Sequence, residues 1–424
     1  MARLHPLRGV RFNPEHVRLG GVLAPPYDVI SPSRREELYG RDLRNVVRID
    51  FGQEYPGDVG GVNDVYTRAA AHLRSWLGLG ILVRDGRPGL YLVSHEFVAP
   101  DGSARRRLGL LGRVPALPWD RSEVRPHELT LRGPKEDRLA LMRATRAQTS
   151  PAWVLWDRAP GLSVRLGEMA EGRPLLGGRF EGEMGSEKLL VWQVAAMADL
   201  AEIDSLLAPT TLYIADGHHR FETMAAYAAE RRAAGDAEGA DSQFALVYAS
   251  GADDPALVVL PIHRMVRPRP GLPGGRAELL ERVGEGWEME AVEDALAAHA
   301  RLGERRTADH AYVLVAPDGA AVLWRRRGEV GARRDVLDVA VLQSEVIGAC
   351  GIGEADLREG ALTYTRDPGE AVEAVREGRV AMAFLVSPCT SQEVIAVADA
   401  GETMPQKSTY FYPKVPTGLV ISPA

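Results

Sequence analysis

The run Leu212-Tyr213-Ile214-Ala215-Asp216-Gly217-His218-His219-Arg220 constrains the fold more than any other stretch of this chain. Leu212 to Ala215 read as a buried strand that stops at Asp216, and from about Arg220 to Ala234 the apolar spacing becomes helical. Gly217 lets the chain turn and lets the backbone approach a ligand closely. A strand end, a glycine and a helix N-terminus in that order bring polar side chains to one point, and the helix N-terminus favours anions, phosphate above all. In that setting Asp216 can hold Mg²⁺ or accept a hydroxyl proton. Arg220 can clamp phosphate oxygens bidentately, and His218 and His219 can donate to charge developing on a transferred group. The alternative is that Asp216 caps the helix while the histidines satisfy buried backbone groups. A zinc reading of His218 and His219 is the weaker one, since adjacent histidines diverge in direction and no third ligand follows at standard spacing.

Three further segments carry possible chemistry. In Arg125-Pro126-His127-Glu128-Leu129-Thr130, followed by Pro134-Lys135-Glu136-Asp137-Arg138, acids and bases crowd around prolines. Glu128 is the candidate general base, and His127, Lys135 and Arg138 are candidate phosphate or nucleotide ligands, against the reading of a solvated helix start with internal ion pairs. Near the C-terminus, Met404-Pro405-Gln406-Lys407-Ser408-Thr409-Tyr410-Phe411-Tyr412-Pro413-Lys414 offers Lys407 and Ser408 to a phosphate and three aromatics to a base or to packing. Pro25-Pro26-Tyr27-Asp28 is a binding-loop segment on one reading and a packing corner on the other.

The remaining pattern is mixed. Pro25 and Pro26 exclude a helix over 22–30, and Ser31-Pro32 starts one. Val46 to Phe51 alternates as a strand would, and Tyr66 to Leu77 has helical spacing. Gly89–Val98 and Arg106–Val114 form a hairpin about Pro100-Asp101-Gly102. Pro151–Trp156 and Lys188–Ala195 read as strands and Ala198–Leu207 as a helix. Phe244–Ala249 and Leu257–Pro261 read as a strand pair. Gly271-Leu272-Pro273-Gly274-Gly275 is the clearest boundary signal. Beyond it come helices at 277–284, 292–301, 338–349 and 391–400, and strands at 310–316, 320–325 and 380–386. The expected class is α+β, organised as 1–120, 121–270 and 271–424.

Composition narrows the function classes. The chain has 424 residues, 45% of them hydrophobic, enough for two or three cores. Its formal net charge of −7 gives no basic face for a nucleic-acid or anionic-membrane partner. Two isolated cysteines, Cys350 and Cys389, exclude a disulfide framework and fit a reducing compartment. The N-terminus lacks a signal-peptide core, and no stretch reaches the about 20 uncharged residues of a membrane span, so a cytoplasmic protein is expected. There is no phosphate-binding G-x-x-x-x-G-K-[ST] loop, no dinucleotide G-x-G-x-x-G and no G-x-S-x-G elbow.

Taken together, Ala24-Pro25-Pro26-Tyr27-Asp28-Val29-Ile30, Arg125-Pro126-His127-Glu128, Pro134 to Arg138, Ala215 to Arg220, Leu260-Pro261-Ile262-His263-Arg264 and Met404 to Lys414 resemble the domain-of-unknown-function 1015 family along essentially the whole chain. Residues 120–265 also resemble the ParB/sulfiredoxin-type nucleotide-binding domain and the free-serine kinases built on it. That resemblance implies a ParB/sulfiredoxin-like central domain flanked by N- and C-terminal α/β regions, and phosphoryl transfer from ATP or ADP to a small hydroxyl compound such as L-serine. Glu128 matches the catalytic glutamate, and Asp216, His218 and Arg220 match the metal and phosphate positions. The expected partners are a nucleotide, a small hydroxyl substrate, Mg²⁺ and a second copy of the chain. Competing expectations are a phosphomonoester hydrolase acting on phosphoserine and a nucleotide-gated binding module.

Overall fold

The computed structural model describes residues 2–128, 133–306, 308–328 and 337–424. It is a mixed α/β protein, as expected, and it divides into two compact units. One comprises Met1–Pro126, Thr130–Val258 and Pro413–Ala424; the other comprises His127–Leu129 and Val259–Tyr412. Each is described by itself.

The first unit is built on an eight-stranded mixed sheet. Its order is Val124–Arg125, Leu212–Asp216, Ala152–Trp156, Phe244–Gly251, Ala104–Pro115, Leu90–Val98, Ser186–Val194 and Leu176–Glu181. The hairpin joining Leu90–Val98 to Ala104–Pro115 forms as expected, with Gly102 at φ 80 and the Ser103 amide donating to Asp101 Oδ1 at 2.9 Å. Leu212–Asp216, Ala152–Trp156 and Phe244–Gly251 run through the middle of the core, where Ile214, Val154, Trp156, Val247 and Phe221 are all buried. These strands are apolar on both faces, which lets them occupy central positions.

A second core in this unit gathers Val10, Phe12, Leu38, Val46, Val47 and Trp76. Ser31 caps the helix Pro32–Arg41 by accepting from the Arg34 amide at 3.2 Å, and Asp64 caps Val65–Gly78 through the Thr67 amide at 2.8 Å. Val46 to Phe51, expected as a strand, is instead the short helix Val47–Asp50. The Asn45 side chain starts it by accepting from the Val47 amide at 3.0 Å while donating to the carbonyls of Gly21 and Leu23. A local side-chain cap and burial of Val47, Ile49 and Asp50 outweigh β-branched propensity here.

The last twelve residues of the chain are woven into this unit. Ile421 bridges Val10, Thr417 bridges Ala24, and Ser422–Pro423 pairs antiparallel with Ala147–Gln148. The Gly418 amide donates to the Thr149 carbonyl at 2.9 Å. These contacts fix the backbone that carries Lys414.

The second unit holds a six-stranded antiparallel sheet ordered Glu288–Val292, Gly319–Arg326, Asp309–Ala316, Met382–Leu385, His263–Val266 and Leu362–Thr365. Thr390 and Glu393 form a capping box on the helix Ser391–Asp399. Two expectations need correction. Phe244–Gly251 pairs with Ala104–Pro115 and Ala152–Trp156, whereas the strand ending at Leu260 forms a two-stranded sheet with Tyr410–Tyr412. The segment expected as one helix at 338–349 is α-helical over Asp338–Val341 and π-helical over Leu342–Ile347. Among the described residues, no helix is long and apolar enough to cross a membrane.

Candidate functional site

The strand Leu212–Asp216 delivers Asp216 through an irregularity: Ile214 opposes Val154 and Asp216 opposes Trp153, so Ala215 is the extra residue on this strand. Such a bulge turns the next side chain out of the regular pleat. Gly217 follows at φ 86 in the left-handed region and precedes the helix His218–Ala233, whose N-terminus has no side-chain cap. Asp216 therefore does not cap this helix. The space a Cβ would occupy on Gly217 lies 2.8 Å from the Arg220 Cζ atom, so glycine is required both by the dihedral and by the packed guanidinium. Gly217→Ala is expected to destabilise the protein by about 1–3 kcal/mol, read as a lowered urea midpoint. An unchanged midpoint would show that the backbone relaxes here.

Asp216 is the focus of a buried ion cluster. Its Oδ2 accepts from Arg220 and its Oδ1 from Lys414, with side-chain exposures of 14% for Asp216, 6% for Arg220 and 8% for Lys414. Burial by itself would raise the carboxyl, but the Lys414 ammonium and the Arg220 guanidinium outweigh it and hold it well below the usual carboxylate range. Arg220 also donates to Ser150 Oγ at 3.1 Å and to the Pro151 carbonyl. With both oxygens engaged by cations, Asp216 does not fit as a Mg²⁺ ligand, and no step below passes through a metal.

The neighbouring side chains lie on the same helix or against it. His218 is buried, with its ring edge-on to Trp119 at 6.3 Å. His219, on the first turn, is partly exposed, and its carbonyl accepts from Thr223 Oγ1 at 2.7 Å. Lys135 pairs with Glu222, which also accepts from Trp119 Nε1 at 2.6 Å. Arg138 is buried. It donates to Asp137 at 2.7 Å and to the Asp50 carbonyl at 2.5 Å, and lies 4.3 Å over the Tyr27 ring. Burial is the main cause that pushes the Tyr27 hydroxyl up to about 12. Tyr27, Asp50, Arg138, Ser150 and Arg220 line a cavity of about 30 Å³, room for a water or two and no larger ligand.

His127, Glu128, Lys407 and Ser408 belong to the second unit. The His127 carbonyl accepts from the Met404 amide at 2.7 Å, His127 Nε2 lies 3.3 Å from Thr409 Oγ1, and Glu128 Oε1 accepts from the Lys407 amide at 3.3 Å. Glu128 thereby anchors a turn in which Lys407 takes φ 57, a conformation uncommon outside glycine. Ser408 is buried and donates to the Pro405 carbonyl at 2.6 Å. Tyr410–Tyr412 is a buried strand, so these aromatics are packing. Leu129 and Thr130, expected beside Glu128, lie outside the described residues.

Two buried basic side chains, Lys414 and Arg107, fall outside the expected site residues. Lys414 was visible only as part of a C-terminal motif. Arg107 is fully buried 4.0 Å over the Trp153 ring, and donates at 2.9 Å to the carbonyl of Pro413, next to Lys414. Partners that distant in sequence leave no spacing signal.

The sequence model of the family described as "Protein of unknown function (DUF1015)" matches residues 4–341. The chain belongs to the DUF1015 family. No curated protein matches it significantly. Among solved structures, this DUF1015 chain is similar to free serine kinase in complex with AMP, with 16% identity and a TM-score of 0.36 over 73% of this chain and 92% of that one. It is also similar to a conserved hypothetical protein from Pyrococcus furiosus, with 16% identity and a TM-score of 0.35 over 74% and 95% of the two chains. For SbnI with C-terminal truncation from Staphylococcus aureus the values are 12% and 0.37, over 74% and 87%.

Proposed function

We propose that this DUF1015 protein is a nucleotide-dependent phosphotransferase acting on the hydroxyl of a small molecule, in the manner of an L-serine kinase. The observation that supports it is the uncapped N-terminus of His218–Ala233, where the Arg220 and Lys414 cations converge on Asp216. The start of a helix that carries no side-chain cap, with cations beside it, suits a phosphate group. On this reading Arg220 and Lys414 stabilise phosphoryl charge, exchanging part of their hold on Asp216 for phosphate oxygens. His218 and His219 donate from the first helical turn. Glu128, the position that resembles the kinase glutamate, accepts the acceptor hydroxyl proton. Lys135 and Lys407 keep supporting roles as phosphate or nucleotide ligands, whereas Arg138 and Ser408, buried on internal acceptors, do not.

The test is incubation with ATP or ADP and L-serine, followed by ³¹P NMR. The expected product is phosphoserine, formed only when both nucleotide and serine are present. Nucleotide turnover that ignores every acceptor overturns the reading. Release of phosphate from phosphoserine without nucleotide would establish a hydrolase in its place.

A further inference from the structure

The first unit also contains a cavity of about 260 Å³ lined by Arg34, Phe180, Gly182, Glu183, Glu187 and Lys414 among others. That is below the about 300–1,000 Å³ typical of drug-sized ligands, so its guest is small. Glu187 sits on the strand Ser186–Val194 and its side chain is only 3% exposed. Its Oε2 lies 2.5 Å from His95 Nε2. His95 Nδ1 faces Arg107 Nη2 at 3.4 Å and accepts from it, which leaves the ring proton on Nε2 to donate to Glu187. Burial, the dominant cause, keeps the His95 pKa low, so the imidazole is neutral and does not cancel the Glu187 charge.

Glu187 Oε1 accepts no hydrogen bond among the described residues. A Cβ on Gly182 would fall 1.9 Å from that oxygen, so only glycine leaves it uncovered. This oxygen is not sealed from solvent, so it is open to a cation or donor that enters the cavity. The cavity also presents the opposite sign: the Lys414 ammonium, which holds Asp216, and the Arg34 guanidinium, which holds Glu37. Acid on one wall and base on another match a small zwitterion.

We propose that this cavity binds a small α-amino acid, its ammonium on Glu187 Oε1 and its carboxylate toward Lys414 and Arg34. His95 and Arg107 are then positioning residues, holding Glu187 and the Lys414 backbone respectively. As the acceptor site of the transferase, the assignment rests on the phosphotransfer reading; as a binding site it does not.

The experiment is calorimetric titration of the full chain, without nucleotide, with L-serine, L-alanine, ethanolamine and 3-hydroxypropionate. At least one amino acid is expected to bind, and 3-hydroxypropionate, which lacks the ammonium, to bind at least about tenfold more weakly than L-serine. Glu187→Gln, which keeps a partner for His95, is expected to lose at least about tenfold in amino-acid affinity with its melting transition retained. No amino-acid binding to the wild-type chain, or equal binding of 3-hydroxypropionate, overturns the proposal, as does a folded Glu187→Gln variant of wild-type affinity. The wild-type series decides the matter even where the variant fails to fold. Amino-acid binding without phosphoryl transfer would leave the cavity standing and remove the kinase reading; nucleotide-dependent transfer without this cavity's selectivity would do the reverse.

Discussion

Asp216→Asn is expected to lower the stability of the protein by about 3–5 kcal/mol, because it leaves two buried cations facing a neutral amide. Arg220 and Lys414 are almost wholly removed from water, and both direct their charge at this one carboxylate. Arg220 keeps Ser150 Oγ and the Pro151 carbonyl as acceptors. Asp216→Asn combined with Lys414→Met should therefore recover part of the loss, with a coupling of about 0.5–3 kcal/mol in a double-mutant cycle. The pH dependence has a fixed sign. The folded Asp216 carboxyl is held below its unfolded value, so its contribution is complete above the unfolded pKa of about 3.9 and disappears as pH falls from there through the folded pKa. The gap between wild type and Asp216→Asn in urea midpoint should be constant near neutrality and narrow in acid. A gap below about 1 kcal/mol at neutral pH, or one that widens on acidification, would mean that the cluster is not the buried ion network described.

Glu128→Gln is expected to reduce phosphoryl transfer by about 10²–10⁴-fold while nucleotide affinity stays within about twofold, the range for loss of a general base. The substitution is isosteric, and a glutamine carbonyl still accepts from the Lys407 amide, so the turn at Lys407 is retained. What is removed is the capacity to take a proton. A fully active Glu128→Gln rejects this role for Glu128. Loss of nucleotide binding together with activity would assign Glu128 to the turn at Lys407 and not to the reaction.

The strand, glycine and helix around Asp216 were legible from local pattern. Four apolar residues, a glycine able to hold φ 86 and a helical repeat after it depend on neighbours in sequence, and so do the hairpin at Asp101-Gly102 and the capped helix start at Ser31. Val46 to Phe51 was misread for the complementary reason. Its alternation is real, but Asn45 reaches carbonyls more than twenty residues earlier and starts a helical turn that no local propensity contains.

The amino-acid sequence alone determined membership in the DUF1015 family, the mixed α/β class and the place of the Asp216–Arg220 corner, because each is written in contiguous residues. Only the tertiary structure decided the company those residues keep. Lys414 comes to Asp216 from 198 positions away, and Arg107 comes to the Pro413 carbonyl from 306 positions away. His95 and Glu187 meet across neighbouring strands at a separation of 92. Sequence spacing fixes what a helix turn or a strand pleat brings together; ion pairs closed across a sheet depend on register and burial, which exist only once the chain has folded.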